Sequence, residues 1–392
     1  MKNLKILFFD TTWNQLLRFG NTISNLIKEQ DSNVVSYGVV CERIKGKKQS
    51  HNFNYVFDSN SNRLIANYVR KTKPDIVILV QNTVPDQNVI LSAKKIGAMV
   101  FVLQHGMLYE GASLNNFNAH ELFAALLNLG KTLKYLRTMH QMCKYDHQSY
   151  FGLLKKIVVE KKDVAHILQN HFSVKLNGDY AMVVGEHWID YYCEHYEYAR
   201  DKILLMGNHD VDNVNLDVTL EDAICYIPSV HVEDGKVRPS VFNKFINNLA
   251  ESIKKTTKLY IKMHPRGDIN LYKDAFKNHN VTYVTGPNLP PVTTYIGHNS
   301  TLLAKALLLT NKVILWGFKE EAELFYKPWA FAFCNKPDEL KAAIEKAESE
   351  KENNEVSKEI REISYINPEG AFNYAARNIL ALYKNNNPVN EN

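Results

Sequence analysis

No stretch of the sequence approaches the roughly 20 apolar residues that a membrane-crossing helix needs, so any bilayer contact is expected to be peripheral. The opening MKNLKILFFD carries only a short apolar run before polar residues return, too short for a signal peptide. Cysteine is sparse: Cys41, Cys143, Cys193, Cys225 and Cys334 are odd in number, far apart and never spaced Cys-x-x-Cys. That argues against a disulfide framework or a zinc ribbon and fits a reducing compartment. An excess of one charge is lacking too. The 47 Lys and Arg against 42 Asp and Glu leave +5, too little to mark a nucleic-acid protein but enough for local basic patches. With 17 Gly and 12 Pro in 392 residues, a fibrous or low-complexity chain is excluded. Four catalytic signatures are missing as well: Gly-x-x-x-x-Gly-Lys-Ser/Thr, Gly-x-Gly-x-x-Gly, Gly-x-Ser-x-Gly and His-Glu-x-x-His. Readings as a P-loop ATPase, a nicotinamide dehydrogenase, a serine hydrolase or a zincin lose their support.

What remains is an ordinary globular balance, 45% hydrophobic and 23% charged, over a length that suits two domains. Short β-rich runs alternate with helical patterns through the first 106 residues. Leu4–Phe9, Val34–Val40, Asp75–Val80 and Met99–Leu103 read as buried strands, and Thr12–Glu29, Arg63–Lys71 and Gln87–Ile96 as the helices between them. From 109 to 174 the pattern turns helical and basic, which predicts an insertion. Its Leu133, Lys134, Tyr135, Arg137, Lys155, Lys156, Lys161 and Lys162 mix bulky apolar and cationic side chains, suited to a membrane interface or an acceptor, or simply to a solvated face. Strands resume at Tyr180–Val184 and Ile203–Met206. The acidic stretch Asp210–Asp222 reads as a linker. Beyond it strands at 223–227, 258–262, 281–284, 293–296 and 313–315 alternate with helices at 240–255, 271–277 and 301–309. The expected fold is therefore α/β with two Rossmann-like domains, 1–209 and 222–384. Helices are predicted over Pro337–Ser349 and Ala371–Leu382, and a disordered tail over 385–392.

In open α/β sheets, ligands bind beyond the carboxyl ends of strands, where helix N-termini present free N–H groups. Three such ends carry chemistry. Gly297-His298-Asn299-Ser300-Thr301 joins a strand to a helix, and its hydroxyls and N–H groups suit either a helix cap or a phosphate. Lys262-Met263-His264-Pro265-Arg266 groups three basic side chains that can neutralise a diphosphate or phosphodiester. His105, between Gln104 and Gly106, is placed to take a proton from an acceptor hydroxyl near neutral pH. Glu186 can supply a further carboxylate, whereas Asp10, after the first strand, reads as a cap or a supporting group. Asp210-Val211-Asp212 lies in the linker and reads as a solvated turn rather than a metal site.

In this order the residues resemble a GT-B glycosyltransferase, in the group that holds capsular-polysaccharide and lipopolysaccharide transferases, CDP-glycerol glycerophosphotransferases and the related UDP-N-acetylglucosamine 2-epimerases. The likeness rests on Gln104-His105-Gly106, Val184-Gly185-Glu186, Gly207-Asn208, Ile227-Pro228-Ser229, the His264-Pro265 pair and Asn299-Ser300-Thr301 with Ala306-Leu307. It implies two Rossmann-like domains facing a cleft. The donor nucleotide would be held by the second domain through Lys262, His264, Arg266, His298, Asn299, Ser300 and Thr301. His105, with Glu186, would be catalytic. Two departures stand out: Lys305 where the family often has an acidic residue, and Gly207-Asn208-His209 where Gly-Asn-Pro is usual.

The function that follows is transfer of a sugar from a nucleotide-activated donor to a glycan or lipid-linked glycan in surface-polysaccharide synthesis. It is expected to be inverting, without a metal or other cofactor, with CMP-sugars favoured, in the cytoplasm or peripherally on the inner face of the membrane, and without nucleic acid as a partner. The alternatives are a UDP-sugar 2-epimerase-like enzyme and a non-catalytic nucleotide- or glycan-binding module.

Overall fold

A computed structural model describes residues 3–44, 50–80, 82–105, 129–160, 164–212, 214–233, 237–286, 288–298, 300–318, 326–350 and 358–387. The chain forms two compact units, Met1–His209 with Tyr365–Asn392, and Asp210–Ser364. Gly106, Asn299, Lys161, Lys162 and the 109–128 part of the expected insertion lie outside the described residues.

The first unit is built on seven strands: β1 (Leu4–Asp10), β2 (Val34–Val40), β3 (Tyr55–Asp58), β4 (Ile76–Leu79), β5 (Met99–Leu103), β6 (Tyr180–Val183) and β7 (Ile203–Leu205). They run parallel in the order 3-2-1-4-5-6-7. Every residue of β4 and β6 is buried, because helices cover both faces of a parallel sheet and leave no solvated side for polar residues. β3 escapes the sequence pattern. It is an edge strand in a polar neighbourhood, with Tyr55 exposed but stacked on Tyr37.

The helix Val84–Lys95 is buried along nearly its whole length. It lies under a second layer made of Leu129–Tyr145 and Val164–Gln169, the described part of the insertion, and so buries Asp86, Gln87, Asn88 and Ser92 along with its apolar residues. Thr83 and Asp86 form a reciprocal cap at its start. Asp146 ties the layers together: its buried carboxylate meets Lys95 Nζ at 2.6 Å and accepts from the Ser173 N–H at 2.6 Å. Lys134 and Tyr135 turn inward here rather than joining a basic surface. Lys134 Nζ meets Cys41 Sγ at 3.3 Å, and Tyr135 packs on the apolar core.

The C-terminal segment belongs to the first unit, which corrects the expected 222–384 domain. Tyr365 N–H donates to Val184 O at 3.0 Å, its own carbonyl accepts from Asn208 N–H at 2.8 Å, and the Asn367 amide donates to Met206 O at 2.8 Å. The helix Ala371–Asn386 then packs on Thr22–Gln30, burying Ala375, Ala376, Ile379 and Leu380. Ile379 and Leu380 each contribute about 1.5–3 kcal/mol by burial, ample reason for the segment to return. The helix also carries residues 385 and 386, which were expected to start a disordered tail.

The second unit has six parallel strands, β8 (Glu221–Ile227), β9 (Lys258–Lys262), β10 (Asn280–Val284), β11 (Val292–Gly297), β12 (Val313–Trp316) and β13 (Ala332–Cys334), in the order 10-9-8-11-12-13. Pro239–Ser252 and Pro337–Ser349 pack on one another beside this sheet, and each opens with proline in its first turn, where a missing N–H costs nothing. Phe242, Phe245, Ile246, Leu340 and Ile344 face the shared core.

Candidate functional site

Each sheet reverses its strand order at one point, between β1 and β4 in the first unit and between β8 and β11 in the second. The chain leaves the two strands in opposite directions at such a point, opening a crevice at their carboxyl ends where ligands of α/β proteins bind.

In the second unit this point is flanked by Pro228-Ser229 after β8, the 262–266 basic run at the end of β9, and Ser300-Thr301 after β11. Ser300 Oγ accepts from Leu302 N–H at 3.3 Å, while Thr301, at the N-cap of Leu302–Leu309, makes no side-chain bond to the helix. The Ser300 hydroxyl hydrogen and the Thr301 hydroxyl are thus uncommitted to the cap, at the end of a helix whose dipole favours an anion. His264 Nδ1 accepts from the Arg266 N–H at 3.1 Å. The neutral ring therefore carries its hydrogen on Nε2, a directional donor on a half-buried side chain beside the exposed Arg266.

Two residues of the expected donor set have other work. His298 is 1% exposed, with Nε2 at 2.8 Å from Tyr226 Oη and Nδ1 at 3.0 Å from Trp316 O. The carbonyl can only accept, so Nδ1–H donates to it and Nε2 accepts the tyrosine hydroxyl. Burial, reinforced by the nearby His231, pushes its pKa down to about 3 and keeps it neutral. Phe318 stacks on the ring at 4.8 Å. His298 is a pillar joining β8, β11 and β12 under the crevice, and its assignment as a nucleotide contact is corrected on that ground. Lys262 is likewise buried, and its amine donates to Gly286 O. It holds the end of β9 to the turn after β10 and acts on the crevice through its charge.

Lys305 is a feature whose burial the sequence did not reveal. It is 8% exposed in the first turns of Leu302–Leu309. Burial lowers its pKa, with Asp210 opposing that shift, and burial, with a smaller push from the Lys305 charge, lowers that of Lys262. Two desolvated cations at one strand-helix junction make a positive floor.

In the first unit, the crevice holds carboxyl groups. Asp10 ends β1, buried, with Oδ1 accepting from Thr12 N–H at 2.9 Å and Oδ2 without a partner. Burial raises its pKa to about 7, the Thr12 and Thr11 hydrogen bonds opposing and Asp86 adding to the rise. Asp86 is raised to about 6, again first by burial, against the hydrogen bonds from Thr83. Burial thus lifts both carboxyls above the ordinary carboxylate range, which makes them candidates for acid-base work, although Asp86 is also the cap of its helix. Neither was among the expected catalytic residues. Asp10 at a strand end was visible in the sequence, but its significance depends on β4 lying next to β1, which no local pattern reveals.

His105 follows β5, one strand further along the sheet. Its half-buried ring meets the edge of Phe19 at 4.9 Å, and Phe19 also contacts His209 at 4.6 Å and Phe372 at 5.4 Å. Phe19 is presented by a π-helical turn, Leu16–Asn21. Gly20 lets that turn lie close on β1, since a Cβ there would sit 3.0 Å from the Phe8 side chain. Widened turns of this kind occur frequently at functional sites. Gln104 fixes the strand end by accepting from Val184 N–H at 3.1 Å. Glu186, after β6 and just before the helix His187–Tyr196, is exposed and makes no cap bond.

No protein-family model matches the sequence, and no curated protein matches it. Solved structures do. A UGT transferase from Siraitia grosvenorii in complex with UDP aligns over 97% of this chain and 100% of its own, with a TM-score of 0.55 at 10% identity. The calicheamicin glycosyltransferase CalG4 covers 99% and 100%, with a TM-score of 0.55 at 11% identity. This chain has the GT-B fold. The GT-B architecture is also matched by the UDP-GlcNAc 2-epimerase of Neisseria meningitidis bound to UDP-GlcNAc, over 97% of this chain and 100% of that one, with a TM-score of 0.52 at 13% identity. At these identities the likeness establishes the GT-B fold and leaves the chemistry to the side chains.

Proposed function

We propose that the chain is a glycosyltransferase that moves a sugar from a nucleotide-activated donor, CMP-sugars first, to a glycan or lipid-linked glycan in surface-polysaccharide synthesis. The observation that carries this reading is the second-unit crevice: the Ser300 hydroxyl hydrogen and the Thr301 hydroxyl at a helix N-terminus, the Nε2–H of His264, exposed Arg266 and the cationic floor of Lys262 and Lys305. That set suits the phosphate of a departing nucleotide, whose negative charge grows as the glycosidic bond breaks. In the first unit His105 takes the proton of the attacking acceptor hydroxyl, so the new bond forms as the nucleotide leaves from the opposite side and the anomeric configuration inverts. Cations and N–H groups stabilise the leaving phosphate without a metal. Asp10 is a second acid-base group in the same unit, and Glu186 an accessible carboxylate that can orient the acceptor. Work on a lipid-linked acceptor places the enzyme peripherally on the inner face of the membrane.

The buried carboxyl pair favours a second reading, because Asp10 and Asp86 are tuned for proton removal at neutral pH and a sugar epimerase needs such a group. One experiment separates the two. The protein is incubated with CMP-, UDP- and GDP-sugars, with and without a glycan acceptor, and free nucleotide and sugar epimers are followed. Nucleotide release that requires acceptor is expected. Epimer formation from a UDP-sugar alone would replace the transferase reading, and nucleotide binding without turnover under any condition would leave a binding module.

A further inference from the structure

The described part of the helical layer carries a surface that the proposed chemistry does not use. On Tyr150–Glu160, Phe151 is 82% exposed, Val158 74% and Val159 66%. Positions 151, 155, 158 and 159 fall on one helical face, and Leu153 on the other is fully buried, so the helix sits firmly on the core while showing apolar side chains to solvent. Lys155 is exposed within this face and Lys156 is exposed at its margin. On the neighbouring helix Leu129–Tyr145, Leu133, Arg137, His140 and Lys144 are exposed at matching spacing, and His140 meets Tyr150 edge-on at 5.1 Å, which sets the two exposed faces side by side.

Charge points to the occupant. Residues 129–175 contain nine Lys and Arg and three Asp and Glu, a net +6 against +5 for the whole chain. One of those three acids, Asp146, is buried in its pair with Lys95, while of the cations Lys134 turns inward and Lys175 pairs with Glu197. A solvated face has no need of Phe151, Val158 and Val159. A contact between two copies would bring like charges together. An anionic bilayer surface accepts both features, taking the apolar side chains into the acyl boundary while the lysines stay among the headgroups. At 11 residues the helix can lie in the interface but not cross it.

We propose that the Phe151, Val158 and Val159 face, with Lys155, Lys156 and Arg137, docks this protein on an anionic lipid surface. The transferase reading explains why such docking is useful, by bringing the enzyme to a lipid-linked acceptor, but the docking itself is independent of catalysis and is tested without substrate.

The test is co-sedimentation of the full chain with phosphatidylcholine vesicles, with and without phosphatidylglycerol. Binding to the phosphatidylglycerol vesicles alone, reversed by salt, is expected. Replacing Lys155 and Lys156 by Gln should weaken it about 30-fold, from roughly fivefold per cation at such a surface. Phe151→Ser with Val158→Ser and Val159→Ser should abolish it, while turnover with a soluble acceptor and the unfolding temperature stay unchanged, because these side chains are already in water. Failure of the wild-type protein to bind anionic vesicles, or binding that both variants retain, would overturn the proposal. So would a wild-type dimer that the serine variant converts to monomer without any vesicle binding, which would assign the face to a second copy. Absence of turnover, by contrast, would count against the transferase reading alone.

Discussion

Replacing Asp10 by Asn should stabilise the protein in mild alkali while lowering its activity, an unusual pairing that follows from the carboxyl's surroundings. Exposed, this group titrates near 3.8; folded, it is raised to about 7, first by burial and further by Asp86, against the Thr12 and Thr11 hydrogen bonds. Between those values the folded chain holds a proton that the unfolded chain has released. Stability from this group is therefore full below about pH 4 and is lost as pH rises towards 7. Three pK units at 1.36 kcal/mol each bound the loss at about 4 kcal/mol. Asparagine keeps the acceptor for Thr12 N–H at the Oδ1 position and removes the charge. Its amide donor replaces Oδ2, which has no partner, and an unmade hydrogen bond there subtracts about 1–3 kcal/mol. A net gain of about 1–3 kcal/mol is expected at pH 8, disappearing at pH 4, where the wild-type acid is itself neutral and carries a comparable unmet donor. Urea unfolding of both proteins at the two pH values measures this directly. The same stability difference at pH 4 and pH 8 would refute the reasoning, whatever its sign.

Three further expectations follow from the same structure. His264→Ala should weaken donor binding, seen as a raised KM for the nucleotide-sugar, whereas His105→Ala should chiefly lower kcat; equal donor affinity in the two variants would sink both assignments. Asp146→Ala removes the buried half of an ion pair whose Lys95 is partly exposed and leaves Ser173 N–H unmet, for a loss of about 1–3 kcal/mol by chemical denaturation. Burial would raise the Asp146 pKa, but Lys95 and Ser173 more than offset that and hold it at about 2, so in the wild type this carboxylate contributes about 2 kcal/mol above pH 4 that fades as pH falls to 2, and the acid-unfolding curve of the variant should lack that step. Tyr226→Phe removes the donor to His298 Nε2 and should destabilise by about 1–3 kcal/mol, with nucleotide affinity unchanged if His298 is a pillar rather than a ligand contact.

The alternation of apolar strands and helices made two parallel sheets legible in the sequence, because buried strands such as Ile76–Leu79 and Val313–Trp316 must be continuously apolar. The edges were not legible. Tyr55–Asp58 and Ala332–Cys334 are short and partly solvated, so they carry no strong pattern. Nor was the return of Tyr365 to the first unit, which depends on hydrogen bonds to Val184 and Asn208 far away in the chain. The site divides the same way. The Ser300 turn and the bend at His264 stand at strand ends that local sequence can find. The roles of His298, Lys262 and Asp10 turn on what lies across the sheet: a carbonyl and a phenol for the histidine, a turn carbonyl for the lysine, and burial with a neighbouring acid for the aspartate.

The central claim is that the second-unit crevice holds a nucleotide. Thermal unfolding with CMP, CDP, UDP and GDP, in EDTA, for the wild-type protein and for Thr301→Val, addresses it most directly. Ligand at about 100 times its Kd adds roughly 2.7 kcal/mol to the folded state. The account predicts that one nucleotide, cytidine first, raises the unfolding temperature without a divalent metal, and that the valine variant loses most of that shift. No response to any nucleotide, or an equal response in the variant, would contradict it.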